Sequence, residues 1–226
     1  SREAHEPPVA PGALYGGDIE VPLSALGEAE AVAAAAFIRD SGDDVRDVWS
    51  SPMARAVYGA KQVTKALRFK VVGGLNLEVS EALREIGRGQ WVNRTREEIA
   101  ADWGEDAFER CALEDDFGRT FGGEGMGDLR ERVLTARDFI LKRCQPGTAT
   151  VVVSHMWVTR IMLADALGEP NVLKVDVPTA SVSIIDYTPE SWPPAIATAS
   201  PDVVLAGYKP PLPEDQVSLA ATWQAE

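Results

Sequence analysis

The sequence predicts an α/β fold, a three-layer sandwich with a mostly parallel sheet between helices. Three observations lead there. Short apolar runs of strand type alternate with longer segments of helical spacing over most of the chain. One run, Thr150-Val151-Val152-Val153, is strongly β-branched, the signature of a central strand covered on both faces. Two strand candidates end in polar residues that lead straight into a helix, at Ser50-Ser51-Pro52 and at Ser154-His155. In α/β sheets, ligands collect at those carboxyl ends.

The elements follow in order. Residues 1–15 are irregular, with Pro7, Pro8 and Pro11, and the Gly16-Gly17 pair follows. Ser24 is placed to cap an alanine-rich helix that runs to Asp40, where Ser41-Gly42-Asp43-Asp44 breaks it. Val45 to Trp49 reads as a buried strand, Met53 to Leu67 as a helix, and Phe69 to Val72 as a further strand. Residues 73–125 are less regular, with helical stretches at Thr95–Trp103 and Asp106–Leu113 and a turn at Phe121-Gly122-Gly123-Glu124. A long helix from Met126 to Cys144 places Leu129, Val133, Ala136 and Ile140 on one face, and Gln145-Pro146-Gly147 stops it. After the Thr150–Val153 strand comes a helix from His155 to Leu167, then strands at Ser181–Tyr187 and Val203–Ala206. The whole, 1–226, reads as one domain with a polar, Pro-rich tail over 209–226.

Composition narrows the function. A net charge of −13 argues against nucleic acid, which calls for a basic face. It also gives an anionic substrate no long-range attraction, so an anion site here must be a local cluster of Arg and His. No apolar run approaches the roughly 18 residues of a membrane span. Cys111 and Cys144 show neither metal spacing nor a redox pair, and two unpaired thiols fit a reducing compartment, the cytoplasm or an organelle stroma. Neither nucleic acid nor a membrane is an expected partner; oligomeric state is not legible.

Three residues stand out for chemistry. Arg55 lies near the start of a helix that leaves a strand directly, where a guanidinium and a helix N-terminus can share a phosphate. A surface ion pair would explain it equally. His155 follows a buried strand and can donate to an anion or move a proton, or serve as a hydrogen-bonded core histidine. Glu85, in a Gly-punctuated loop between Arg84 and Arg88, is a general acid if burial tunes it and a solvated ion pair if not.

Taken in order, the segments resemble a known family. They are Gly17-Asp18 with Pro22-Leu23-Ser24-Ala25-Leu26-Gly27, then Ser50-Ser51-Pro52-Met53-Ala54-Arg55-Ala56, then Leu83-Arg84-Glu85-Ile86-Gly87-Arg88-Gly89-Gln90-Trp91. Gly122-Gly123-Glu124 and Val153-Ser154-His155 complete the set. The pattern, from about Gly16 to Tyr187, is similar to the histidine phosphatase superfamily, which includes the phosphoglycerate mutases. The resemblance implies a phosphoglycerate mutase-like sandwich and a metal-independent phosphatase, without cofactor, that acts on a small phosphorylated metabolite through a phosphohistidine. It implies that Arg55 clamps the phosphate, that Glu85 protonates the leaving oxygen, and that His155 binds phosphoryl oxygens. Gly17 and Ser24 match positions of further substrate contacts.

One family motif has no counterpart. The nucleophile belongs to an Arg-His-Gly at the end of a central strand, whereas this chain opens Ser1-Arg2-Glu3-Ala4-His5-Glu6-Pro7-Pro8. The expectation is that the chain starts just after the motif, with the first central strand and nucleophile upstream. The alternatives are a degenerate nucleophile at His5 or none at all. Met156-Trp157 replaces the glycine usual after the second histidine, which implies a bulkier pocket. The span from Arg94 to Phe121 is modest for a lid, which favours hydrolysis over mutase-type phosphotransfer. A non-catalytic domain that binds a phospho-ligand or protein partner is the remaining alternative.

Overall fold

The computed structural model describes residues 19–69, 75–193 and 199–213. Among these residues, five strands form two sheets: β1 (Val45–Ser50), β2 (Asn76–Val79) and β3 (Ala149–Val153) in one, β4 (Val182–Asp186) and β5 (Asp202–Tyr208) in the other. The first sheet is wholly parallel in the order β2-β1-β3, with Val48 opposite both Leu77 and Val151. The second is an antiparallel pair.

Six helices accompany them: α1 (Ala25–Asp40), α2 (Ala54–Leu67), α3 (Arg96–Trp103), α4 (Ala107–Leu113), α5 (Met126–Arg143) and α6 (Met156–Leu167). Alternation along the strands separates two apolar layers. Val48, Val151 and Val153 pack with Ala35, Ala60, Val63 and Leu67 of α1 and α2. Trp49 and Val152 point the other way, into a core with Leu129, Val133, Val158 and Ile161 of α5 and α6. Helices therefore cover both faces of the parallel sheet, as predicted.

Most boundaries match their sequence signals. The Ser24 hydroxyl accepts from the Gly27 N–H at 3.1 Å and caps α1. Thr95 and Glu98 form a reciprocal capping box at the start of α3. The strand expected at Val203–Ala206 is longer, Asp202–Tyr208. The tail begins against the body, where Lys209 pairs with Glu30 at 2.6 Å.

Of the strand expected at Phe69–Val72, Phe69 lies in a turn with 86% of its surface exposed, and 70–72 fall outside the described residues. A strand that the sequence reading did not name, β2, follows at Asn76–Val79. Asn76-Leu77-Glu78-Val79 has little intrinsic strand character, and its pairing along β1 makes it a strand. Among the described residues, β3 pairs with β1 only, and all five of its residues are partly buried.

A third apolar cluster stands apart from the sheet. Trp91, Ile99, Cys111, Phe117 and Phe121 pack together, with Trp91 stacked on Phe121 at 4.1 Å between ring centres. Among the described residues, no helix is long and apolar enough to cross a membrane.

Candidate active site

Arg55, Glu85 and His155 reach one cavity of about 1240 Å³ at the carboxyl ends of β1 and β3. Each is set there by a strand end. After β1 the chain turns through Ser51 and Pro52, and Arg55 occupies the first turn of α2. Its Nη1 donates to the carbonyl of Ile19 at 3.0 Å, and the Ala54 N–H donates to Glu20 at 3.1 Å. Glu20 thus covers the N-terminus of α2, where no side-chain cap is present. After β3, Ser154 donates to the Leu83 carbonyl at 2.6 Å, which fastens the Glu85 loop to the strand end.

His155 is buried, and its Nε2 lies 2.7 Å from the Ser51 hydroxyl, which also accepts from the Met53 N–H at 3.3 Å. Burial pushes its pKa down to about 3, and the charges of Arg55, Arg84 and Arg132 add to the effect. The ring is therefore neutral near pH 7, with one N–H to donate.

Glu85 is equally buried, and its pKa moves the other way. Desolvation raises it, opposed by N–H donation from Ile86 at 3.0 Å and Trp157 at 3.4 Å and by the charges of Arg88 and Arg55. A carboxyl group held above its ordinary range keeps a proton more readily, as a general acid must.

Arg132 and Ser51 carry structural roles that the sequence reading did not single out. Arg132, on α5, makes two bonds to Glu124 at 2.5 and 2.7 Å and donates to the Ala82 carbonyl at 2.9 Å. Glu124 in turn donates its N–H to the Gly87 carbonyl at 2.9 Å. Arg132 thereby ties the Gly-Gly-Glu turn to both ends of the Glu85 loop. Ser51 was visible only as part of a motif; 104 residues separate it from His155, so no local spacing announces the bond. Arg88 approaches Cys111 Sγ at 3.0 Å and lies over the Trp157 ring at 5.0 Å. The local Arg and His cluster expected of an anion site in an acidic chain is thus present: Arg55, Arg84, Arg88 and Arg132 all act electrostatically on Glu85 or His155.

Of the other residues named from sequence, Ser24 lines the same cavity, with its oxygen occupied as the cap of α1. Gly17 and His5 lie outside the described residues. Met156 and Trp157 both line the cavity, as a bulkier pocket requires. Among the described residues, no group of three His, Cys, Asp or Glu side chains is placed to hold a metal, and both cysteines are free thiols.

The His155 environment predicts a pH dependence of stability. Unfolded, the ring titrates near 6.5; folded, near 3. Between these values the unfolded chain binds more protons, so stability falls as pH drops from 6.5 towards 3. From pH 7 to pH 4 the loss due to this residue is on the order of 3 kcal/mol. Urea unfolding at both pH values checks it: His155→Gln should show a correspondingly smaller loss than the wild type. Equal losses would mean that the ring is not buried neutral.

A family model for the histidine phosphatase superfamily, branch 1, matches residues 10–195. Among solved structures, "Mycobacterial hydrolase 2" aligns with a TM-score of 0.73 at 22% identity, over 94% of this chain and 91% of its own. A mycobacterial glucosyl-3-phosphoglycerate phosphatase aligns at 0.68 and 20% identity, over 88% and 93% of the two chains. A putative α-ribazole-5′-phosphate phosphatase from Escherichia coli K-12 aligns at 0.66 and 21% identity, over 87% and 89%. No curated protein sequence matches the chain. The structural likenesses establish a common fold, and the family model extends the kinship to sequence. The chain belongs to the histidine phosphatase superfamily, branch 1.

Proposed function

We propose that this protein hydrolyses a phosphate monoester of a small metabolite through a phosphohistidine. The observation that carries the reading is the pairing of a buried, pKa-raised Glu85 with a neutral His155 inside a cluster of arginines. A site that only bound a phospho-ligand would gain nothing from a carboxyl group whose pKa burial raises. Glucosyl-3-phosphoglycerate phosphatase and α-ribazole-5′-phosphate phosphatase, whose folds this chain shares, are named for monoester hydrolysis.

In the reaction, a histidine nitrogen attacks phosphorus and the bond to the leaving oxygen breaks. Glu85 gives that oxygen its proton. Arg55 and the His155 N–H hold the equatorial oxygens, which carry the charge in phosphoryl transfer. The Ser24 hydroxyl proton and the Gly17 backbone supply further contacts to substrate. Water then gives a proton to the Glu85 carboxylate and its oxygen to phosphorus. The P–N bond breaks, which releases orthophosphate and restores both groups. No step draws on a metal. The attacking histidine comes from a segment upstream of Ser1, with His5 as the competing candidate. Mutase-type transfer is disfavoured by the short 94–121 span. The two free thiols fit a reducing compartment.

The test is phosphate release from p-nitrophenyl phosphate by protein extended upstream of Ser1. Hydrolysis is expected, and Glu85→Ala should abolish it. Trapping of labelled phosphoprotein should place the label upstream of Ser1. Label on His5 would overturn the upstream assignment. Phosphate binding without turnover would favour the binding-only alternative.

A further inference from the structure

Two backbone N–H groups hold the Glu85 carboxyl: that of Ile86 on Oε1 at 3.0 Å and that of Trp157 on Oε2 at 3.4 Å. Trp157 is fixed by α6. Ile86 belongs to the same loop as Glu85, and residues 84–88 lie in no helix or strand. The aim of the carboxyl therefore follows the path of the loop backbone.

A stretch without its own ladder must have its carbonyls satisfied from elsewhere. Four bonds do so here. Ser154 donates to Leu83 at 2.6 Å, Arg132 Nη1 to Ala82 at 2.9 Å, Arg132 Nη2 to Glu85 itself at 3.5 Å, and the Glu124 N–H to Gly87 at 2.9 Å. Three of the four come from one ion pair, Arg132 and Glu124. Its fork-to-carboxylate geometry is the strong form of a charged hydrogen bond. With side chains only 24% and 20% exposed, it is better shielded than a surface pair. Neither residue lines the cavity that holds Arg55, Glu85 and His155; both open onto a second cavity of about 580 Å³, with Trp49, Ala82 and Phe139. The pair meets the Glu85 loop from behind, out of reach of a substrate in front of it.

We propose that Arg132 is a positioning residue for proton transfer: braced by Glu124, it sets the distance and angle of Glu85 to the leaving oxygen. This rests on the function proposed above. In the first step a histidine nitrogen forms its bond to phosphorus, the bond from phosphorus to the ester oxygen breaks, and the Glu85 proton passes to that oxygen. Proton transfer needs heavy atoms about 2.6–3.2 Å apart, so a loop that drifts by about 1 Å forfeits it. The penalty depends on the leaving group. p-Nitrophenolate departs without a proton, whereas an alkoxide does not. A mis-aimed acid therefore spares the aryl ester and penalises the alkyl ester, a bias that general loosening of the fold does not produce.

The test compares kcat/KM for glycerol 2-phosphate and p-nitrophenyl phosphate in protein extended upstream of Ser1. This ratio reports steps up to the phosphohistidine, so the later role of Glu85 as a base does not enter. Arg132→Ala should lose about 100-fold on the alkyl ester and less than about fivefold on the aryl ester. Glu124→Gln keeps the N–H bond to Gly87 and should show the same bias at smaller size; it takes the place of Arg132→Ala if that variant does not fold. Equal losses on both esters, or a larger loss on the aryl ester, overturn the proposal. A second measurement needs no turnover. Carboxyl-carbon NMR of residues 1–226 follows the titration of Glu85, whose pKa is raised chiefly by desolvation. A loop released by Arg132→Ala admits water, so that pKa should fall, whereas loss of a positive charge alone would raise it. A fall supports the clamp; a rise or no change overturns it. If the wild type hydrolysed neither ester, the function would be refuted, and this titration would decide whether Arg132 holds Glu85.

Discussion

Arg55→Ala is expected to lower kcat/KM for p-nitrophenyl phosphate about 1,000-fold in protein extended upstream of Ser1. A fixed guanidinium at a site of developing charge contributes on this scale, about 4 kcal/mol of barrier. Its fork is already oriented, because one N–H is held by the Ile19 carbonyl. Arg55→Lys keeps the charge and loses the fork, so its loss should be smaller, about 100-fold. A second readout separates electrostatics from misfolding. The Arg55 charge helps to lower the His155 pKa and opposes the rise of the Glu85 pKa. Without it both should move upward, the imidazole from about 3, although burial remains the larger cause for each. Ring chemical shifts across the acid range report the first. A kcat/KM within tenfold of wild type would remove Arg55 from the phosphate clamp.

Gly89→Ala should have a large effect on stability, about 3–5 kcal/mol. Two costs coincide. Gly89 has φ +47°, which side chains adopt reluctantly, and a Cβ there would lie 2.4 Å from the Gly122 carbonyl carbon and 2.5 Å from Gly123 N. Those atoms are backbone and cannot swing away as a side chain could. The turn that must yield carries Glu124 and, through Arg132, the Glu85 loop, so activity should fall with stability. Gly122→Ala is the control. Its φ is +71°, but nothing lies within 4 Å of its Cβ, so it should cost only about 1–2 kcal/mol. Urea unfolding of both variants checks the difference. Equal losses would assign the whole effect to backbone strain.

How far the site was legible follows from what each residue depends on. Ser24 was readable because a cap is a local bond, made within three residues. β3 was readable as a strand from its valines, but its place in the sheet depends on neighbours that no local pattern names. β2 was missed because its strand character comes from β1. Glu85 looked more like a solvated ion pair when read alone. Its burial against Trp157 joins residues 72 apart, so only the motif order suggested its role. Arg132 had no such motif, since an arginine on the polar side of a long helix is ordinary until Glu124 folds over it.

The aromatic cluster around Trp91 and Phe121 is a core of its own, separate from the two that sandwich the sheet. Its members Trp91 and Phe108 also form part of the cavity wall. On the function proposed above, the phosphate-handling groups and this part of the cavity wall are therefore anchored in different hydrophobic interiors. On the same function, substitutions inside the 91–121 segment reshape selectivity while Arg55 and His155 keep their positions; the segment meets the arginine cluster where Cys111 Sγ lies 3.0 Å from Arg88. On that reading, such a division of labour lets one site be re-addressed to new monoesters by drift in a separately packed module.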